Sequence, residues 1–262
     1  MSPLISPAKI RTIGLTVFLC ATASPSALAQ SPADQIALGD RSYATLDAPS
    51  ALSQYERAIA ADPRNYEALW KASRSAIDIG SYSSDASKRQ ALFTRGEQYA
   101  RRAVELEPGD AEGHFAIARA LGKTALAQSA RGRIRYATEI RSQALECLRL
   151  SPRHAGCLHV MGMWNAEVMR LNAITRLVAK NILGGKVFGA ASWGEAVRYM
   201  EASVAADPER IVHHLDLGGV YRDIDQAAQA RAEFETAIRL PNTDFNDRHY
   251  QMEARSSLAA LK

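Results

Sequence analysis

Five proline-ended segments constrain this chain more than any other feature. Tyr55–Pro63, Tyr99–Pro108, Ala144–Pro152 and Tyr199–Pro208 close alike, and Phe234–Pro241 closes with its proline one place early. Each carries the apolar spacing of an amphipathic helix. Proline then stops it, because the ring removes an N–H and clashes with the preceding turn. A second apolar-periodic segment follows each stop. One helix pair cannot bury its apolar face alone, so a pair repeated along a chain predicts a stack of neighbours, not a single globular core.

Composition agrees. Of 262 residues 47% are hydrophobic and 23% charged, with Gly 16, Pro 10 and Cys 3, which excludes collagen, low-complexity disorder and a disulfide-dense scaffold. Ala, Arg and Leu are the commonest residues, and all are strong helix formers. The formal charge of +4 comes from 32 basic against 28 acidic residues, too small an excess for a nucleic-acid footprint.

The repeats fall at about 32–65, 66–110, 111–154, 155–210 and 211–242, with a capping helix over 243–261. In the first, Leu38-Gly39 supply a large–small pair, and Ala51, Tyr55, Ala58 and Pro63 follow at fixed offsets. In the fifth, Leu217-Gly218, Tyr221, Ala230, Phe234 and Ala237 repeat the arrangement. Small residues let two helices approach and large ones fill the space beside them. This pattern resembles the tetratricopeptide (TPR) repeat and implies an all-α, right-handed TPR-like superhelix of about five helix pairs. The middle repeats are stretched, with prolines 45, 44 and 56 residues apart against about 34 in the standard repeat. The extra residues are expected around 80–84, 122–132 and 171–192. Long second helices absorb the first two insertions. The third holds a separate short helix from Leu171 to Leu183. Asp85 and Ser192 are expected N-caps, with Ser192–Glu195 a capping box. The last helix is expected to start at Asn242–Asp244, with Arg255, Ser256 and Ser257 facing solvent.

The C-terminal half is more particular. Gly162-Met163-Trp164, Glu167-Val168, Leu177–Lys180, Phe188 and Ala191–Ala196 precede Asp207-Pro208. His214–Leu217, Tyr221 and Leu240–Thr243 follow. Together these residues resemble the regulator of microtubule dynamics family of TPR-like proteins, most strongly over 155–245. The resemblance implies the fold. It also brings expectations from eukaryotic members: microtubule association, membrane tethering and, in one case, phospholipid binding.

Residues 1–29 read as a secretory signal peptide. Lys9 and Arg11 precede an apolar run from Ile10 to Ala23, and Ala27-Leu28-Ala29 offers a small-x-small cleavage site before Gln30. The run is shorter than the roughly 20 residues that span a bilayer. Competing readings are a lipid anchor on Cys20, disfavoured by Leu19, and an uncleaved anchor. Export would place residues 30–262 as one domain in a periplasm, away from tubulin, and lower the charge to +2.

Chemistry is sparse. There is no HExxH, CxxC, GxSxG or GxGxxG, and the six histidines have poor ligand spacing. No metal, cofactor or catalytic group is expected. Cys147 and Cys157 lie five residues either side of Pro152, opposite each other across a hairpin, where an oxidising compartment allows a disulfide. Alternatively both are small core residues, Cys147 taking the place of Ala58 and Ala237.

The richest constellation is the concave face, lined by first helices. Their fifth residues are Ile36, Trp70, Phe115, His159 and Leu215, and their ninth Asp40, Arg74, Arg119, Met163 and Gly219. The predicted groove comprises Ile36, Trp70, Arg74, Phe115, Arg119, His159, Met163 and Leu215, suited to a protein or peptide. The alternative occupant is an acyl chain, which would make the chain a lipid-binding or lipid-transfer module. In a third reading the insertions fill the groove and these residues become core. No nucleic acid is expected. Membrane contact would require Leu171–Leu183, with Arg170, Arg176 and Lys180, to lie on a bilayer.

Overall fold

A computed structural model describes residues 31–172 and 188–261, and among them it holds eleven α-helices and no strand. They form five consecutive antiparallel pairs. α1 (Pro32–Ala44) pairs with α2 (Ala48–Ala61), α3 (Tyr66–Ser81) with α4 (Ala86–Leu106), and α5 (Ala111–Leu126) with α6 (Ala130–Leu150). α7 (Ala155–Arg170) then pairs with α8 (Trp193–Ala206), and α9 (Ile211–Asp223) with α10 (Ala227–Arg239). α11 (Asp247–Ala259) caps the stack. Successive first helices also touch, α1 to α3, α3 to α5, α5 to α7 and α7 to α9, which makes them the inner layer. The chain is a TPR-like helical solenoid.

Four repeats place the N-cap of their first helix two residues after the proline. Asn65 accepts from the Ala68 N–H at 2.9 Å, Asp110 from Glu112 at 2.8 Å, and His154 Nδ1 from Cys157 at 3.1 Å. These side chains satisfy donors that a helix start leaves unpaired. Arg210 holds the same place in the fifth first helix and makes no side-chain cap.

The paired helices meet where the large–small pattern placed them. A Cβ on Gly39 would fall 2.4 Å from the Tyr55 ring, and one on Gly218 2.7 Å from Phe234. Gly162 repeats the arrangement against Met200, at 2.5 Å. Three apolar clusters follow one another along the stack, around Tyr55 and Leu69, around Leu121 and Trp164, and around Met200 and Phe234.

Several expectations need correction. α4 and α6 are indeed 21 residues each, but Gly122 and Gly132 lie inside α5 and α6, so the loop between those helices is confined to residues 127–129. At Ser192 only half of the capping box forms. Its hydroxyl accepts from Glu195 N–H at 3.1 Å, while its own N–H donates to Asn165 and the Glu195 carboxylate is held by Arg198. The last helix starts at Asp247, after a polar turn in which Thr243 and Asp244 N–H groups both donate to Asp247 at 2.7 Å. Within that helix Arg255 and Ser256 are exposed and Ser257 half-buried. The proposed helix at 171–183 lies almost wholly outside the described residues. Leu171 itself is the C-cap of α7.

The stack curves until its ends meet, which nothing in the repeat pattern announces. Asn246 Nδ2 donates to the Asp78 carbonyl at 3.1 Å, and Tyr82 Oη to Glu253 at 2.8 Å. Tyr82 also stacks on His249, ring centres 4.1 Å apart. Tyr43 Oη lies 2.9 Å from Asp78 Oδ2 and 3.1 Å from Asp244 Oδ2, joining partners 35 and 201 residues away. Arg119 pairs with Asp78, and Arg210 with Asp244 at 2.6 Å. Asp78 is fully buried and Asp244 is 2% exposed. Buried carboxylates are tolerated only when paired and hydrogen-bonded, and both conditions hold here.

Candidate functional site

Residues of α3, α5, α6, α7 and α9, with Tyr43, Phe188 and Tyr250, line a cavity of about 470 Å³. That size falls in the range of ligand pockets. One wall is apolar, with Trp70, Ile134, Ile140, Trp164, Val168 and Phe188. Arg119, Lys123, Arg210 and Asp216 bring charge to the lining. Leu126, one of two large apolar side chains exposed among the described residues, lines it too.

Six of the eight predicted groove residues line this cavity: Trp70, Arg74, Phe115, Arg119, His159 and Met163. Ile36 does not, being buried with Tyr55 and Leu69 in the first core cluster. Leu215 does not either, because the inner face of α9 is turned so that Val212, His213 and Asp216 point inward while Leu215 packs into the last cluster. The fifth-and-ninth register therefore holds in the middle of the array and slips at both ends. Of the six, Phe115 is packed beneath Gly156, where a Cβ would meet its ring at 2.4 Å, and lies 4.8 Å from the His154 ring. Arg119 is committed to Asp78. Arg74 lies over the Tyr43 ring at 3.6 Å. Trp70, His159 and Met163 keep side chains on the cavity with only part of their surface buried. Leu171 and Phe188, from the third insertion, line the cavity, as does Tyr250 of α11; residues 173–187 lie outside the described residues.

Tyr43, Asp78, Arg210 and Asp244 were not singled out from the sequence. One signal was available. Arg210 stands where three other repeats place a capping acceptor, and arginine cannot accept a hydrogen bond. An arginine there has another partner, and Asp244 is that partner.

The histidines are structural clamps of two kinds. His214 Nδ1 lies 2.6 Å from Glu233 and Nε2 2.8 Å from the Pro208 carbonyl, so both nitrogens face acceptors. Burial opposes its charge, but those partners outweigh burial and raise its pKa above 6.5. His114 takes the equivalent place in α5, between Gln143 at 2.6 Å and the Pro108 carbonyl at 3.0 Å. His213 is the opposite case. Burial, then the stacked His159 ring 4.9 Å away, push its pKa well below 6.5. His159 itself lies 2.8 Å from Asp216.

These neighbours predict opposite pH effects. The folded state disfavours a proton on His213, so acidification below about pH 6.5 favours the unfolded chain. His214 contributes stability below pH 6.5 that is lost as pH rises through its raised value. Replacing His213 with phenylalanine should therefore shrink the fall in melting temperature between about pH 7.5 and 5.5, and His214→Gln should enlarge it. Equal falls in wild type and both variants would refute the assignment.

Cys147 and Cys157 are joined in a disulfide, with Cα atoms 6.4 Å apart and both residues fully buried. The His154 ring completes a group of three potential metal ligands within 4.8 Å. With the sulfurs bonded to each other, this form offers a metal only a histidine nitrogen. Among the described residues no helix is long and apolar enough to cross a membrane.

Comparison with known proteins follows the same lines. The chain is 24% identical over 197 residues to mouse regulator of microtubule dynamics protein 1, covering 74% of this chain and 64% of that protein. It is 24% identical over 183 residues to Xenopus laevis regulator of microtubule dynamics protein 3, covering 70% and 39%. The chain thus spans less than two thirds of the length of these relatives. Among solved structures it is similar to a thermophilic TPR protein of Thermus thermophilus, with a TM-score of 0.62 and 18% identity, covering 86% of this chain and all of that one. The model of the regulator of microtubule dynamics protein 1-3 family matches residues 33–262, and the chain belongs to that family.

Proposed function

We propose that this chain is a non-enzymatic, exported scaffold that binds a protein or peptide partner in the cavity on its concave face. The observation that carries the reading is the cavity beside the self-contact. The same inner surface already holds a polypeptide, the chain's own turn at 242–246, through Tyr43, Asp78 and Arg210. Next to that turn lies open space with an aromatic wall and charged groups, the pairing that suits a peptide with one apolar anchor. Export is supported by the order of basic, apolar and small residues over 9–29.

Gly122 provides the test. It lines the cavity from the middle of α5, and a Cβ there would meet nothing within 4 Å. Gly122→Leu should add a side chain to the cavity, with its Cβ in open space. Leucine is also the better helix former, so stability should hold or rise by about 0.5–1 kcal/mol. Partner capture should nevertheless fall at least tenfold, a loss of about 1.4 kcal/mol in binding. Unchanged capture by a folded variant would put the binding surface elsewhere. An acyl chain is the competing occupant. Stoichiometric lipid in organic extracts of gently purified wild type, lost in Gly122→Leu, would replace the peptide reading.

A further inference from the structure

The charged groups on the cavity can be taken one by one. Arg119 is neutralised by Asp78, Arg210 by Asp244 at 2.6 Å, and Arg133 by Glu167 at 2.8 Å. His159 holds Asp216 at 2.8 Å, and His154 lies 3.2 Å from Glu112. Arg74, without a salt bridge among the described residues, lies over the Tyr43 ring at 3.6 Å. Lys123 lines the same cavity, one helical turn beyond Arg119, and also makes no salt bridge among the described residues. Burial lowers its pKa, with the Asp216 charge pulling the other way. An ammonium held partly out of water without a counter-charge is costly, and a ligand anion would relieve that cost.

The neighbouring self-contact indicates which anion. There a polypeptide turn places the Asp244 carboxylate on Arg210 and Tyr43 of the concave face. Lys123 adds a further cation to the lining that Arg210 and Tyr43 share with Trp164, Val168 and Phe188. We infer that Lys123 is the specificity determinant of the cavity: it receives an Asp or Glu side chain of the bound polypeptide, while an adjacent aromatic or branched side chain enters the apolar wall. The inference rests on the peptide-binding reading above and adds the chemistry of the occupant.

The test uses random dodecapeptides displayed on phage, selected in parallel on the purified wild-type chain and on Lys123→Met. The wild-type pool should be enriched in Asp or Glu next to an aromatic or branched residue. The Lys123→Met pool should keep the apolar preference and lose the acidic one. A synthetic peptide from the wild-type pool should bind about tenfold or more weakly when its acid is changed to the amide, because a desolvated charge pair is broken. On Lys123→Met that ratio should fall to about one. Lys123→Gln should behave alike, and melting curves matching wild type for both variants would exclude unfolding as the cause.

A wild-type pool without acidic enrichment, or an acid-to-amide ratio that survives in Lys123→Met, would overturn the inference and leave the cavity reading standing. Peptides that bind equally well to Gly122→Leu, or a library yielding no binder, would overturn both. A pool displaced only by sodium laurate, with no acid-to-amide difference, would assign the site to acyl chains and likewise overturn the inference.

Discussion

Asp78→Ala is expected to destabilise the fold by about 3–5 kcal/mol, because it leaves the Arg119 guanidinium buried without its carboxylate. Asp78 is fully buried and Arg119 only 15% exposed at the side chain, so water cannot replace the lost partner. The same substitution removes an acceptor for Tyr43 Oη. The loss should be read in the urea midpoint of unfolding at unchanged slope, which reports stability without a change in compactness. A second variant separates charge from packing. Removing both members, Asp78→Leu with Arg119→Met, should cost clearly less than Asp78→Ala alone, since no orphaned charge remains. If the double variant costs the sum of the singles, the pair is not coupled.

Breaking the disulfide is the second large effect. Cys147 and Cys157 are ten residues apart, at the end of α6 and the start of α7. Their bond closes a loop in the unfolded chain that would otherwise gain about 3 kcal/mol of conformational freedom. Cys147→Ala with Cys157→Ala should therefore lower stability by about 3 kcal/mol under oxidising conditions, and by almost nothing relative to the fully reduced wild type. Alanine fits, because Ala58 and Ala237 fill corresponding buried places in other repeats. Calorimetry with and without a phosphine reductant reads both comparisons. Wild type that melts alike in the two conditions, with thiols open to alkylation in the unreduced sample, would mean that the bond is not made in solution.

How far the sequence carried depended on the range of each interaction. Proline stops, Leu–Gly pairs and capping residues act within a helix or between adjacent helices. They located the five pairs, the contact of Gly39 with Tyr55 and that of Gly218 with Phe234. The hairpin geometry around Pro152 likewise brought Cys147 and Cys157 opposite each other. Interactions between distant repeats left almost no local trace. Tyr43 meets Asp244 across 201 residues, and no periodicity links the two positions. Ile36 and Leu215, on the predicted inner register, pack into the first and last core clusters, and Arg119 serves Asp78, a carboxylate held in the closure. The closure explains the late start of α11, whose preceding Asp244 is held in it and does not enter a first helical turn. The middle of the array, where each first helix has a repeat on both sides, kept its register, so Trp70, His159 and Met163 are on the cavity as read.

The central claim is that a partner polypeptide sits in the concave cavity, and photo-crosslinking tests it most directly. A benzophenone amino acid placed at Leu126, exposed and on the cavity, should trap a discrete polypeptide in the native cell. The same probe at Arg57 or Arg231, exposed on second helices away from the cavity, should trap none. Adding Gly122→Leu should abolish the Leu126 adduct. An adduct formed equally well from Arg57 or Arg231, or one that survives Gly122→Leu, would contradict the account.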